Sequence, residues 1–242
     1  MRKVVLAGVA ATAMVATAAC QRGRAEDGGP TIQRNFQVGS FEEIEVGGPY
    51  DVTVRTGSGP SVSASGPEKL IERMIVEVRG DKLVIRTEER HGMFSWGSHT
   101  RGTVKLQVAV PSLTAAVIAG AGGIAVDKVK ADHFSGTVGG AGDLILNSVD
   151  VQSLRLAIGG SGDIRASGQA RNASYTIAGS GDVDAQGVRS EVAEASIAGS
   201  GSIRAQATGT ADAKIMGSGD ITLTGGAKCT VSKMGSGDIH CS

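Results

Sequence analysis

From Ile118 to the C-terminus, apolar residues recur at alternate positions, in blocks separated by short glycine-rich stretches. Two positions before each stretch stand Ile118, Val138, Ile158, Ile177, Ile197 and Ile215, with Lys233 the one departure. Directly after each come Ile124, Leu144, Ile164, Val183, Ile203, Ile221 and Ile239. Two positions further on are Val126, Leu146, Ala166, Ala185, Ala205, Leu223 and Cys241. The residues between, such as Arg165, Asp184, Arg204, Thr222 and His240, are mostly polar. A period of two points successive side chains to opposite faces, so each block predicts strand, tight turn, strand with one buried face.

The turns repeat. GAGG at 120–123 is followed by GAGD at 140–143, GSGD at 160–163, GSGD at 179–182, GSGS at 199–202, GSGD at 217–220 and GSGD at 235–238. The steps are 20, 20, 19, 20, 18 and 18 residues. A unit this short cannot bury its apolar face alone, but stacked units build continuous aliphatic ladders. The spacing therefore predicts an all-β fold, a parallel β-helix of 18–20-residue coils, with right-handed coiling expected. The glycines supply positive φ for the turn and let neighbouring backbones approach.

Upstream, IEVGGPYDVTV (44–54) has the same shape, with GPYD at 48–51 in the place of GSGD. It predicts a degenerate first coil. The period is then lost through SVSAS, MIVEV, KLVIRT and VKLQVAVP. These runs predict an irregular β segment that closes the N-terminal end of the helix, since a bare solenoid end would pair with another chain. The β-helical domain is expected over 36–242, with regular repeats over 120–242.

The first twenty residues, MRKVVLAGVAATAMVATAAC, have a basic start, an apolar stretch and small residues before Cys20. That pattern predicts a secretory signal peptide over 1–19. Cys20 after TAA resembles a bacterial lipobox, which predicts lipidation of this cysteine; cleavage after Ala18 with an unmodified cysteine is the alternative. Residues 20–35 then read as the anchored cysteine and a flexible polar tether. With Gln21 after a lipidated cysteine, the segment resembles sorted lipoproteins, which implies the outer membrane of a Gram-negative bacterium, or its periplasm, as the destination.

Composition fits a thin-cored repeat: 37 glycines, five prolines and only seven aromatic residues in 242. Charge balances at 24 basic and 24 acidic residues with no basic block, so nucleic acid as a partner has no electrostatic support. No further apolar run is long enough for a membrane span, which excludes a multispan protein.

Candidate chemistry is sparse. GAGGIA at 120–125 fits a loose phosphate-loop pattern, but strands follow rather than the helix such a loop needs. Asp143, Asp163, Asp182, Asp220 and Asp238 are expected to stack along one corner. Their mutual repulsion must be offset, either by backbone N–H donors within each turn or by bound cations. The four histidines are scattered, and no nucleophile elbow is present, so no catalytic residue is assigned. RGD at 79–81 reads as a hairpin turn. HGMFSWGSH at 91–99 carries Phe94 and Trp96, which either anchor a partner or plug the helix end. Cys229 and Cys241 lie six residues either side of Gly235, at inward positions of the last coil. In an oxidising compartment they are expected to form a disulfide across the end of the core, two buried thiols being the alternative.

The combination of FEEIEVGGPYDVTV, GDKLVIRT, VAVPSL and reiterated GSGDI resembles the head GIN domain family of auto-transporter adhesin heads. The resemblance runs from about Phe36 to the C-terminus. It implies a β-helical, secreted or surface-attached bacterial protein. The reading that follows is a non-catalytic cell-envelope β-helix lipoprotein, adhesin-like or structural, without cofactor. Its expected partners are the membrane through the lipid anchor and a surface glycan or protein. A carbohydrate-active enzyme or a cation-binding β-helix is the alternative.

Overall fold

The structure, a computed structural model, describes residues 28–88 and 102–242. The predicted signal segment, Cys20, Phe94 and Trp96 lie outside the described residues. The chain forms seventeen strands and one short helix among those described: β1 (Thr31–Phe36), β2 (Glu43–Gly47), β3 (Tyr50–Thr56), β4 (Ser61–Pro67), α1 (Glu68–Glu72), β5 (Met74–Arg79), β6 (Lys82–Thr87) and β7 (Val104–Val110) form the N-terminal part. The stacked part comprises β8 (Ala115–Ile118), β9 (Gly123–Val126), β10 (Val129–Val138), β11 (Leu144–Ile158), β12 (Ile164–Gly179), β13 (Val183–Gly199), β14 (Ser202–Gly217), β15 (Asp220–Thr224), β16 (Lys228–Gly235) and β17 (Ile239–Cys241).

From β8 onward every pairing is parallel and links one coil to the next, which makes a β-solenoid. Two aliphatic ladders run its length. Before the glycine corner, Ile85, Val46, Ile118, Val138, Ile158, Ile177, Ile197 and Ile215 stand in register. After it, Leu106, Val52, Ile124, Leu144, Ile164, Val183, Ile203 and Ile221 do the same. All of these are buried. Each fully covered aliphatic side chain contributes about 1.5–3 kcal/mol, which replaces the aromatic bulk the chain lacks.

Each full coil bends between strand segments, as the interrupted register between Leu146 and Val149 shows. The coil thus has three faces: Leu144–Leu146, Val149–Val151 and Ser153–Ile158 in β11, with the glycine corner closing the triangle. The shorter spacing of the last repeats has a local cause. Where β13 runs from Ala185 to Arg189 across the first bend, β14 goes directly from Ala205 to Gln206. Three residues vanish there and one is added at the second bend, between Ala207 and Thr210, leaving the coil two shorter.

The N-terminal part departs from expectation in two ways. The GPYD coil, β2 and β3, is second along the axis rather than first. It stacks on β8 and β9 on one side and on β6 and β7 on the other, so the chain doubles back to lay a coil outside it. KLVIRT and VKLQVAV carry the same inward alternation as a regular coil, which is why they fit there. Pairing then switches to antiparallel: β5 closes on β6, β4 on β7, and β1 on β4. The helix α1 links β4 to β5 and buries Ile71. A closing β segment is therefore present as predicted. Residues 31–35, expected to belong to the tether, are instead part of a strand, since Thr31–Phe36 pairs in register with Val62–Pro67.

Candidate functional site

The corner comes first because its spelling is the strongest signal in the chain. Both glycines of each motif rest on the coil below. A Cβ on Gly181 would lie 2.0 Å from the carbonyl oxygen of Gly162, and one on Gly179 would lie 2.1 Å from that of Gly160. Such distances exclude any side chain, so the repeat is spelled by steric demand. The second position of the motif, Ser161, Ser180 or Ser200, is exposed and free of that constraint.

The aspartates stack along this corner, but their partners differ from those expected. The donors are backbone N–H groups of the next coil, not of the same turn. Asp163 N–H donates to Asp143 Oδ1 at 3.3 Å, Asp182 N–H to Asp163 Oδ1 at 3.1 Å, and Ser202 N–H to Asp182 Oδ1 at 2.8 Å. Asp238 N–H donates to Asp220 Oδ1 at 2.9 Å. Where Ser202 interrupts the row, the Asp220 N–H turns to the Gly201 carbonyl instead, at 3.2 Å. Parallel stacking explains the difference: the carboxylate leans along the axis and meets the amide one coil away. A bond from an amide to a carboxylate contributes about 1.5–3 kcal/mol, against roughly 1 kcal/mol of repulsion between neighbouring carboxylates in water. The hydrogen bonds win. Arg165 Nη2 lies 3.7 Å from Asp163 Oδ2 and Lys233 Nζ 3.5 Å from Asp238 Oδ1, adding weak surface compensation. Register continues the row past Gly123 to Asp51 and Lys105. Among the described residues no three His, Cys, Asp or Glu side chains are grouped so as to hold a metal ion.

At the C-terminal end, β16 pairs with β14 and β17 with β15, and their outer edges have no strand partner among the described residues. Core positions become exposed there: Val231, in register with buried Ala213, is 51% exposed. Lys233 takes the ladder position of Ile215. Cys229 and Cys241 are joined as a disulfide with Cα atoms 6.6 Å apart, bridging the strands on either side of the last corner.

Inside the solenoid, Tyr175 stands in register with Leu156 and Ala195. It is fully buried, and its hydroxyl has no hydrogen-bond partner among the described residues. Burial pushes its phenol well above the ordinary range. Tyr50 is also raised by burial, partly offset by its 2.6 Å hydrogen bond with Thr87 and by the charge of Arg73.

The RGD tripeptide is the turn joining β5 and β6, with Gly80 at φ 61° and Arg79 paired to Lys82. The Asp81 carbonyl accepts from the N–H groups of Glu42 and Glu43 at 2.8 and 3.0 Å. His133 and His240 stand far apart in sequence on exposed positions of β10 and β17. What the sequence reading missed lies on the outer surface between the second and third faces. There two adjoining concavities, of about 450 and 440 Å³, share Asp150, Val151 and Gln152. Its signal was available: charged and amide residues occupy the same two outward positions in successive coils.

A triangular parallel stack with glycine corners, a disulfide-tied end and an antiparallel cap defines a capped β-solenoid of the adhesin-head kind. The family profile described as "Putative auto-transporter adhesin, head GIN domain" matches residues 40–227, and the chain belongs to that family. The fold is shared by a putative adhesin from Bacteroides fragilis at 24% identity and a TM-score of 0.76, the match covering 88% of this chain and 97% of that one. A putative lipid binding protein from Parabacteroides distasonis is similar at 26% identity and a TM-score of 0.72, with the same coverages of 88% and 97%. A putative adhesin from Parabacteroides merdae gives 18% identity and a TM-score of 0.68, covering 89% and 98%. No curated protein matches the chain.

Proposed function

We propose that this chain is an exported, non-catalytic interaction module of the bacterial cell envelope, anchored by a lipid on Cys20. The observation that carries the reading is its membership of the adhesin-head family over residues 40–227. The Cys229–Cys241 disulfide supports export, because such bonds persist in oxidising compartments. The architecture supports an interaction role. A rigid, close-packed rod presents polar side chains in fixed rows, which suits recognition of an extended partner.

Two measurements test this. Mass spectrometry of the mature protein from its native envelope is expected to find a diacylglyceryl group on Cys20; an unmodified N-terminus at Ala19 refutes the anchor. Fluorescently labelled protein is expected to bind saturably to intact cells or to envelope preparations. Turnover of a polysaccharide by the purified chain would instead favour an enzyme.

A further inference from the structure

The outward rows between the second and third faces form one groove parallel to the solenoid axis. One wall is the row Lys130, Asp150, Gln169, Arg189 and Gln206, in register over five coils and about 20 Å long. The other wall lies at the second bend and carries Asp132, Gln152, Arg171 and Glu191, lining the same two concavities. The floor is made by buried Val151, Ala170 and Ser190, whose hydroxyl donates to the Gln206 carbonyl at 2.6 Å.

The chemistry of the walls is balanced. Lys130, Arg171 and Arg189 oppose Asp132, Asp150 and Glu191, three charges of each sign, with amides interspersed. Several of these groups are held by one another. Gln169 Nε2 donates to Asp150 Oδ1 at 2.8 Å, and Arg171 Nε lies 3.5 Å from Glu191 Oε2. Arg189 and Lys130 have no ion-pair partner among the described residues, leaving free donors in the groove. A surface of alternating donors and acceptors with no net field does not select a polyanion. It suits a neutral ligand rich in hydroxyl groups, each able to donate and accept.

The spacing narrows the choice. Side chains repeat once per coil, at about 4.8 Å. An extended peptide advances about 3.3 Å per residue, so three residues span two coils and its successive residues meet different side chains. A linked pyranose advances by close to one coil, so successive sugars meet equivalent side chains. We propose that this axial groove binds a neutral, linear glycan, with Arg189 and Gln169 as central contacts. The proposal deepens the interaction-module reading and rests on it.

The test is native affinity electrophoresis of the full chain through gels containing hydroxyethyl cellulose, galactomannan, linear xylan or dextran, with polygalacturonate and heparin alongside. Retardation by at least one neutral polymer is expected. The double variant Arg189→Ala with Gln169→Ala should weaken that binding by about tenfold or more. Arg204→Ala, on the first face, should leave it unchanged. Both variants alter exposed side chains, and circular dichroism checks that each keeps the fold. No retardation by any neutral polymer overturns the proposal, as does retardation by the polyanions alone or equal loss in Arg204→Ala. If the double variant is retarded by the neutral polymer as the parent is, the groove assignment falls while the interaction module stands. Absence of both polymer and cell binding in the parent defeats both.

Discussion

At Gly181 the demand for glycine is a matter of space, since a Cβ would sit 2.0 Å from the carbonyl oxygen one coil below. Gly181→Ala is expected to destabilise by about 3 kcal/mol or more in urea unfolding. Ser180→Ala, one residue earlier on the exposed side, should change stability by less than about 0.5 kcal/mol. Equal effects would show that the corner tolerates side chains. Tyr175 makes the opposite case. Its buried hydroxyl is unpartnered among the described residues, so Tyr175→Phe is expected to stabilise by about 1 kcal/mol. The sign with pH follows from the raised folded-state pKa. The unfolded phenol ionises first, near its ordinary value of about 10, so stability falls as pH climbs above that point. The Phe variant should lose less stability than the parent above pH 10; parallel losses would assign the alkaline sensitivity elsewhere, Tyr50 being the next candidate.

Among the elements, the aspartate row separates charge from hydrogen bonding. Asp163→Asn keeps an acceptor for the Asp182 N–H and is expected to shift stability by less than about 1 kcal/mol. Asp163→Ala removes the acceptor and should cost about 1–2 kcal/mol. A melting temperature indifferent to calcium and chelator completes the expectation, and a large rise with calcium would make the row a cation site. The end coil is the weak element, with core positions open to solvent and each strand paired on one side only among the described residues. The disulfide closes a twelve-residue separation and contributes about 3 kcal/mol against fraying. After replacement of both cysteines by serine, hydrogen exchange should quicken in β16 and β17 and remain slow in β12 and β13. Uniform quickening would mean that the bridge secures the whole stack.

Across the whole molecule, legibility followed the range of the interactions. The corners, the two ladders and the inward placement of Cys229 and Cys241 were readable because each coil repeats the same local problem. The donor to Asp163 was misplaced because local turn logic puts it in the same turn, whereas stacking brings the amide of Asp182 from the next coil. The order of the first coils was unreadable for a related reason. Both β3 and β7 alternate in register-compatible fashion, and nothing local says which lies outside. The groove escaped notice because its outward positions repeat in polar character but not in residue type, and only stacking turns Asp150, Gln169 and Arg189 into neighbours.

The doubled-back cap also sets where this architecture can change length. Beyond β9 each coil touches only its predecessor and successor, so a repeat gained or lost there leaves two compatible surfaces to rejoin. Upstream, the coil of β2 and β3 is clasped between strands that come later in the chain. Removing β2, β3, β6 or β7 would strand a partner that has no substitute. Lengthening or shortening of the rod by duplication and deletion is thus confined to the glycine-cornered repeats, while the cap is inherited whole.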